Sequence, residues 1–284
     1  MYAAFLQKMF FKDVKVAPNP RWEQRAKKLG HLSHFNLERR SGRVLGSLHV
    51  AIVEPLSATA EPGVCSSGCQ CMANTLVVLA HPINKKAKYF FSDTGRAAVY
   101  LNCGATVVMF DFNGFGESDS IDLFYWKDAR AVVEFAHKQF PEKQFILHGA
   151  SFGAFHVIRA SQALPSGSTL ILENVNKSLI SYWKRWPLTY FLASVLEIIR
   201  VPAVRDMNVK GFVKSLRRKD LNVKFLACEH DTFTTVEEMQ ELFDDLTIPA
   251  KTFTLFEGAS HLTANVKHKL LYERVLKNEE CQLC

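Results

Sequence analysis

The sequence predicts an α/β fold: a mostly parallel central sheet flanked by helices, with a helical cap inserted late in the chain. Three observations carry this. Six short apolar runs, at residues 75–80, 106–110, 144–147, 169–172, 224–228 and 252–256, have the length of strands buried on both faces. Longer helical stretches separate them, so the connections read as right-handed crossovers between parallel strands. One connection is out of scale. Nearly fifty residues lie between Val175 and Lys224, whereas a simple crossover needs little more than about a dozen.

Taken in order, residues 1–11 are apolar but lack a leading basic region and a small-residue cleavage site. They read as an amphipathic or core-docking helix rather than a secretory leader or membrane anchor. A helical stretch at 21–29 precedes two alternating segments within 35–54, joined at Ser41-Gly42, which predict an antiparallel hairpin. Helix candidates fill 85–101, 123–139, 152–163, 235–246 and 261–276. The cap, residues 177–219, is rich in apolar side chains (Trp183, Trp186, Tyr190, Phe191, Leu192, Leu196, Ile198) and broken at Pro187 and Pro202. There are no internal repeats. The expectation is one domain over 1–284, with the cap as an insertion within it.

The 284 residues are 48% hydrophobic, enough for a large core. No run reaches the roughly 18 apolar residues of a membrane span. Seven scattered cysteines suit a reducing, cytoplasmic setting, with Cys103 and Cys228 as small buried residues. Cys65, Cys69 and Cys71 resemble half a zinc site, but no second Cys/His pair stands at a matching spacing, so they read as a loop of free thiols. The terminal Cys281 to Cys284 has the outline of a prenylation signal, but no polybasic run precedes it.

The net charge of +7 is unevenly placed: 1–46 hold ten basic and three acidic residues, and 177–219 hold ten and two. Either these are two solvated basic faces, or they meet an anionic partner. A cap apolar beneath and basic at its rim would suit an acyl chain on an anionic carrier or at an anionic membrane surface. Nucleic acid is not expected, because no recognition motif accompanies the charge.

The chemistry is concentrated in Gly149-Ala150-Ser151-Phe152-Gly153. A G-x-S-x-G after a buried strand and before a helix puts the serine on a sharp, exposed bend. A serine hydroxyl is a weak nucleophile at neutral pH, so a base must take its proton and a carboxylate must hold that base. On such a bend the partners follow in the order acid, then histidine, at the ends of later strands. Asp231, just past the run 224–228, and His261, just past 252–256, stand in those places; Asp206 is the rival acid. Backbone donors for the developing oxyanion are expected at Phe152 and at the loop His81-Pro82-Ile83-Asn84. Pro82 has no N–H, which leaves Ile83 as the donor and Asn84 as the second choice. His148 and His156 read as packing or locally bonded residues. Trp183, Trp186 and Phe191 would line an apolar substrate pocket.

With these residues in view, the chain resembles the α/β-hydrolase superfamily, in the branch of serine esterases, thioesterases, acyltransferases and peptidases with a helical cap. The matching landmarks are His81-Pro82, the stretch from Asp111 to Ser118, Gly149 to Gly153, Asp231, and Gly258 to His261. The resemblance implies a serine-dependent acyl-transfer chemistry with neither metal nor organic cofactor. Two positions depart from the common pattern: Pro82 replaces a glycine after His81, and Asn113 replaces an arginine. The second is expected to serve local packing. A non-catalytic binding protein on the same fold is the alternative function, and such a protein usually lacks one member of the serine–histidine–acid set.

Overall fold

Strand β3 (Thr75–Ala80) is buried at all six positions in a computed structural model that describes residues 20–56, 71–83, 86–178, 181, 187–198 and 208–277. Its side chains alternate between two cores, as the two-residue period of a strand requires. Leu76, Val78 and Ala80 join one apolar cluster, and Val77 and Leu79 join the other. Strands β4 (Thr106–Phe110) and β6 (Thr169–Glu173) are buried throughout as well. Burying each large apolar side chain stabilises the fold by about 1.5–3 kcal/mol, so a strand covered on both faces shows up as an unbroken apolar run.

The sheet is completed by β1 (Gly30–Ser41), β2 (Val44–Pro55), β5 (Gln144–Ala150), β7 (Asn222–Cys228) and β8 (Lys251–Phe256). Its order is β1-β2-β4-β3-β5-β6-β7-β8. The first two strands form the expected hairpin, paired from Gly30 with Pro55 to Ser41 with Val44. From β4 across to β8 every pairing is parallel. On one face lie α1 (Pro20–Leu29), α2 (Tyr89–Asp93), α3 (Arg96–Leu101), α9 (Ala264–Lys267) and α10 (Lys269–Leu276). On the other lie α4 (Tyr125–Gln139), α5 (Phe152–Ala160), α7 (Val209–Ser215) and α8 (Val236–Asp245). Helix α6 (Pro187–Ile198) and α7 fall in the long connection between β6 and β7.

Two helix expectations need correction. The stretch 85–101 is two short helices, because Gly95 turns the chain at φ 77° between them, a conformation that costs glycine little. The stretch 261–276 does not begin as a helix at His261: Leu262 has φ 57° and His268 interrupts the run at φ −126°. Cys71 is disulfide-bonded, which corrects the expectation of a free thiol at that position. Cys103 and Cys228 are buried, as expected. Residues 1–11, Cys65, Cys69, Cys281 and Cys284 lie outside the described residues.

Candidate active site

Ser151 sits between β5 and α5 at φ 50° and ψ −112°, a strained conformation for a residue with a Cβ. The flanking glycines make the bend sterically feasible. A Cβ at Gly149 would come within 2.5 Å of the Ala154 backbone, and one at Gly153 would collide with the Ala80 carbonyl. The G-x-S-x-G pattern is therefore a packing requirement of the bend.

Asp231 follows β7 and His261 follows β8, and the fold brings both to Ser151. His261 Nε2 lies 3.1 Å from Ser151 Oγ, and His261 Nδ1 lies 2.6 Å from Asp231 Oδ2. With Nδ1–H donating to the carboxylate, Nε2 is the acceptor facing the hydroxyl. Asp231 also accepts hydrogen bonds from the amides of Phe233 and Thr234, the Thr234 hydroxyl, and Asn174 Nδ2. Burial alone would raise its carboxyl. The bond to His261, the charge of His261 and the Thr234 hydrogen bonds outweigh burial and hold it below the usual carboxylate range.

The loop after β3 is pinned by His81. This buried ring donates from Nδ1 to the Pro82 carbonyl at 2.8 Å and accepts the Phe112 amide at Nε2, 3.2 Å away. Both contacts suit a single neutral tautomer, and burial pushes the ring down to about 4. Ile83 is half-buried against the core, as is Phe152. The rings of the fully buried Phe112 and Phe115 stand 5.4 Å and 5.6 Å from that of Phe152, the residue after Ser151. Phe191 on α6 is 65% exposed. Asn84, Trp183, Trp186 and Asp206 lie outside the described residues.

Among the solved structures similar to this chain is an esterase from Pyrococcus furiosus, 16% identical, with a TM-score of 0.64 over 92% of this chain and 93% of that one. A lidless serine hydrolase from Xanthomonas campestris is 21% identical, with a TM-score of 0.53 over 87% and 94%. A monoacylglycerol lipase from Paleococcus ferrophilus is also 21% identical, with a TM-score of 0.55 over 71% and 91%. The chain has the α/β-hydrolase fold. No protein-family model matches its sequence, and no curated protein does.

Within the α/β-hydrolase fold, Asn113 is the packing residue that its departure from the common pattern suggested. Its Nδ2 donates to Asp128 at 2.7 Å, and its Oδ1 accepts the amides of Ile121 and Asp122. Several residues around the site have no sequence motif. Asn174 and Thr234 hold Asp231, and Asn174 does so from a backbone at φ 53°. His148 is buried between the Tyr100 hydroxyl, 2.9 Å from Nδ1, and Glu173, 3.3 Å from Nε2. Among the described residues, His49, Asp111 and Glu117 converge closely enough to ligate a metal. The Lys88 ammonium lies 2.5 Å from both carboxylates and supplies the positive charge there.

Proposed function

We propose that this chain is a serine hydrolase that cleaves an ester or thioester with an apolar acyl group, through an acyl-enzyme on Ser151. The observation that carries the reading is the continuous relay from Ser151 Oγ through His261 to Asp231, at 3.1 Å and 2.6 Å. His261 removes the hydroxyl proton as Oγ attacks the acyl carbon. The tetrahedral oxyanion is held by the amides of Phe152 and Ile83, and His261 returns the proton to the leaving group. Water, or an alcohol or amine in an acyl transfer, then repeats the sequence on the acyl-enzyme. The half-buried Phe152, next to Ser151, is the aromatic side chain placed to meet the acyl group.

Phe191, the described member of the three expected pocket-lining residues, is 65% exposed on α6. Among the described cations of the cap, Lys177 and Lys210 pair with Glu241, and Lys214 with Asp245. Arg218 pairs with Asp220 and donates to the carbonyls of Gln162 and Leu164. Among the described residues, the exposed Arg217 and Lys219 are the groups through which we propose an anionic carrier or membrane surface would act.

The reading is tested with a series of p-nitrophenyl esters of increasing acyl length. Turnover should rise with acyl length, begin with an acylation burst, and fall by several orders of magnitude in Ser151→Ala with the fold retained. Hydrolysis by Ser151→Ala at the wild-type rate would refute it.

A further inference from the structure

The carboxyl end of β6 bonds Ser151 and Asp231 directly and is tied to the His261 segment through one further side chain. The Glu173 carbonyl accepts the Ser151 amide at 2.7 Å. The next residue, Asn174, donates from its side chain to Asp231 at 2.7 Å. The link to His261 is indirect and runs through Arg96 on α3. The fully buried Glu173 carboxylate receives Arg96 Nη2 at 2.5 Å, Arg96 Nε at 3.1 Å, the Tyr272 hydroxyl at 2.8 Å and His148 Nε2 at 3.3 Å. The same Nη2 donates to the Leu262 carbonyl at 2.9 Å. Leu262 follows His261 and is held at φ 57°, where a leucine stays only if its surroundings enforce it.

We propose that Arg96 is a positioning residue for the reaction: its guanidinium ties the Glu173 carboxylate to the Leu262 carbonyl and so fixes the reach of His261 to Ser151. The inference rests on Ser151 being the nucleophile. It draws on three features of the cluster. First, a buried ion pair is a poor device for stability alone, because desolvation offsets most of the attraction. Arg96, Glu173 and Tyr272 are all buried to within 1%, and apolar side chains of the same volume would fill the space as well. Second, the guanidinium meets the Glu173 carboxylate through Nε and Nη2 while Nη2 also bonds the Leu262 carbonyl; a lysine ammonium could bond two of these oxygens but not reproduce the two-nitrogen grip on the carboxylate. Third, Arg96 Nη1 has no hydrogen-bond partner among the described residues, a cost that a purely space-filling residue would not carry. Arg96 and its attached carboxylate hold each other ionised: burial opposes both charges, and their mutual attraction overrides it.

Two variants of the full chain test this. Arg96→Lys keeps the charge but loses the fork, and Tyr272→Phe keeps both charges while removing one donor to Glu173 and one acceptor from Arg96 Nε. The readouts are the rate at which a fluorophosphonate labels Ser151, kcat and KM on a short-chain p-nitrophenyl ester, the thermal midpoint, and the downfield Nδ1 proton resonance of His261. In Arg96→Lys, labelling and kcat should fall on the order of 10²-fold with KM unchanged, since misplacing a reacting group by about 1 Å costs that much. Tyr272→Phe should lose about tenfold in the same two rates. In both, the His261 proton should exchange faster with water. If wild type labels and both variants label at its rate, Arg96 is structural only and the proposal is overturned, whatever the thermal midpoints do. Should Arg96→Lys fail to fold, Tyr272→Phe decides alone. A wild-type chain that does not label removes the hydrolase reading, and this proposal with it.

Discussion

Asp231 accepts from Nδ1 of His261, which turns Nε2 toward the Ser151 hydroxyl. Asp231→Asn would offer an amide to Nδ1 and favour the opposite tautomer, so kcat should drop on the order of 10⁴-fold with little change in the fold. A loss below about tenfold would mean that another carboxylate holds the base, and Asp206 would be the next to test. His156 shows a different kind of dependence. It is 2% exposed, ringed by Phe112, Tyr125, Phe152 and Phe155, and its Nε2 has no hydrogen-bond partner among the described residues. Burial pushes its ring down to about 3, whereas an unfolded histidine titrates near 6.5. Between those values the unfolded chain binds a proton that the folded chain does not. Stability is therefore full above about pH 6.5 and is lost as pH falls toward 3. His81, at about 4, acts in the same direction. His156→Phe should raise the thermal midpoint more at about pH 5 than at about pH 8. Equal shifts at both pH values would show that His156 does not carry the acid sensitivity.

At the level of elements, the bend at Ser151 has no room for an added methyl group at Gly149 or Gly153. Gly153→Ala puts a methyl group into the Ala80 carbonyl, and the first turn of α5 cannot shift without moving Ser151. The expected result is a thermal midpoint lowered by several degrees together with loss of turnover, as for other overpacked sites costing about 1–3 kcal/mol or more. An alanine variant with the wild-type midpoint and rate would contradict the packing account of the motif. The same contrast explains what could be read from the sequence. β3 and β4 are legible because strands covered on both faces must be apolar at every position. The helix breaks at Gly95 and Leu262 were not: a glycine in a helical pattern is ambiguous, and nothing in Leu262 or its neighbours signals φ 57°. The hub at Glu173 was not legible either. Arg96 and Glu173 are 77 positions apart, and each is ordinary in its own segment.

Over the whole molecule, the sheet does the assembling: Ser151, Asp231 and His261 come from three connections spread over 110 positions and meet at the carboxyl ends of β5, β7 and β8. The order of these residues was readable because parallel strands deliver their following loops to one edge. The long-range ties that hold them, Asn174 to Asp231 and Arg96 to Leu262, were not, because they depend on which strands become neighbours. The charge pattern behaved similarly. Its asymmetry was plain in the sequence, but the pairing of Lys210 with Glu241 and Lys214 with Asp245 required the fold. The central claim is that this assembly activates one serine. The most direct measurement is fluorophosphonate labelling of the intact chain, followed by peptide mapping of the modified residue. A single adduct on Ser151 is expected, formed rapidly in wild type and abolished in His261→Ala. Labelling elsewhere, or equal labelling of Ser151 in His261→Ala, would contradict the claim.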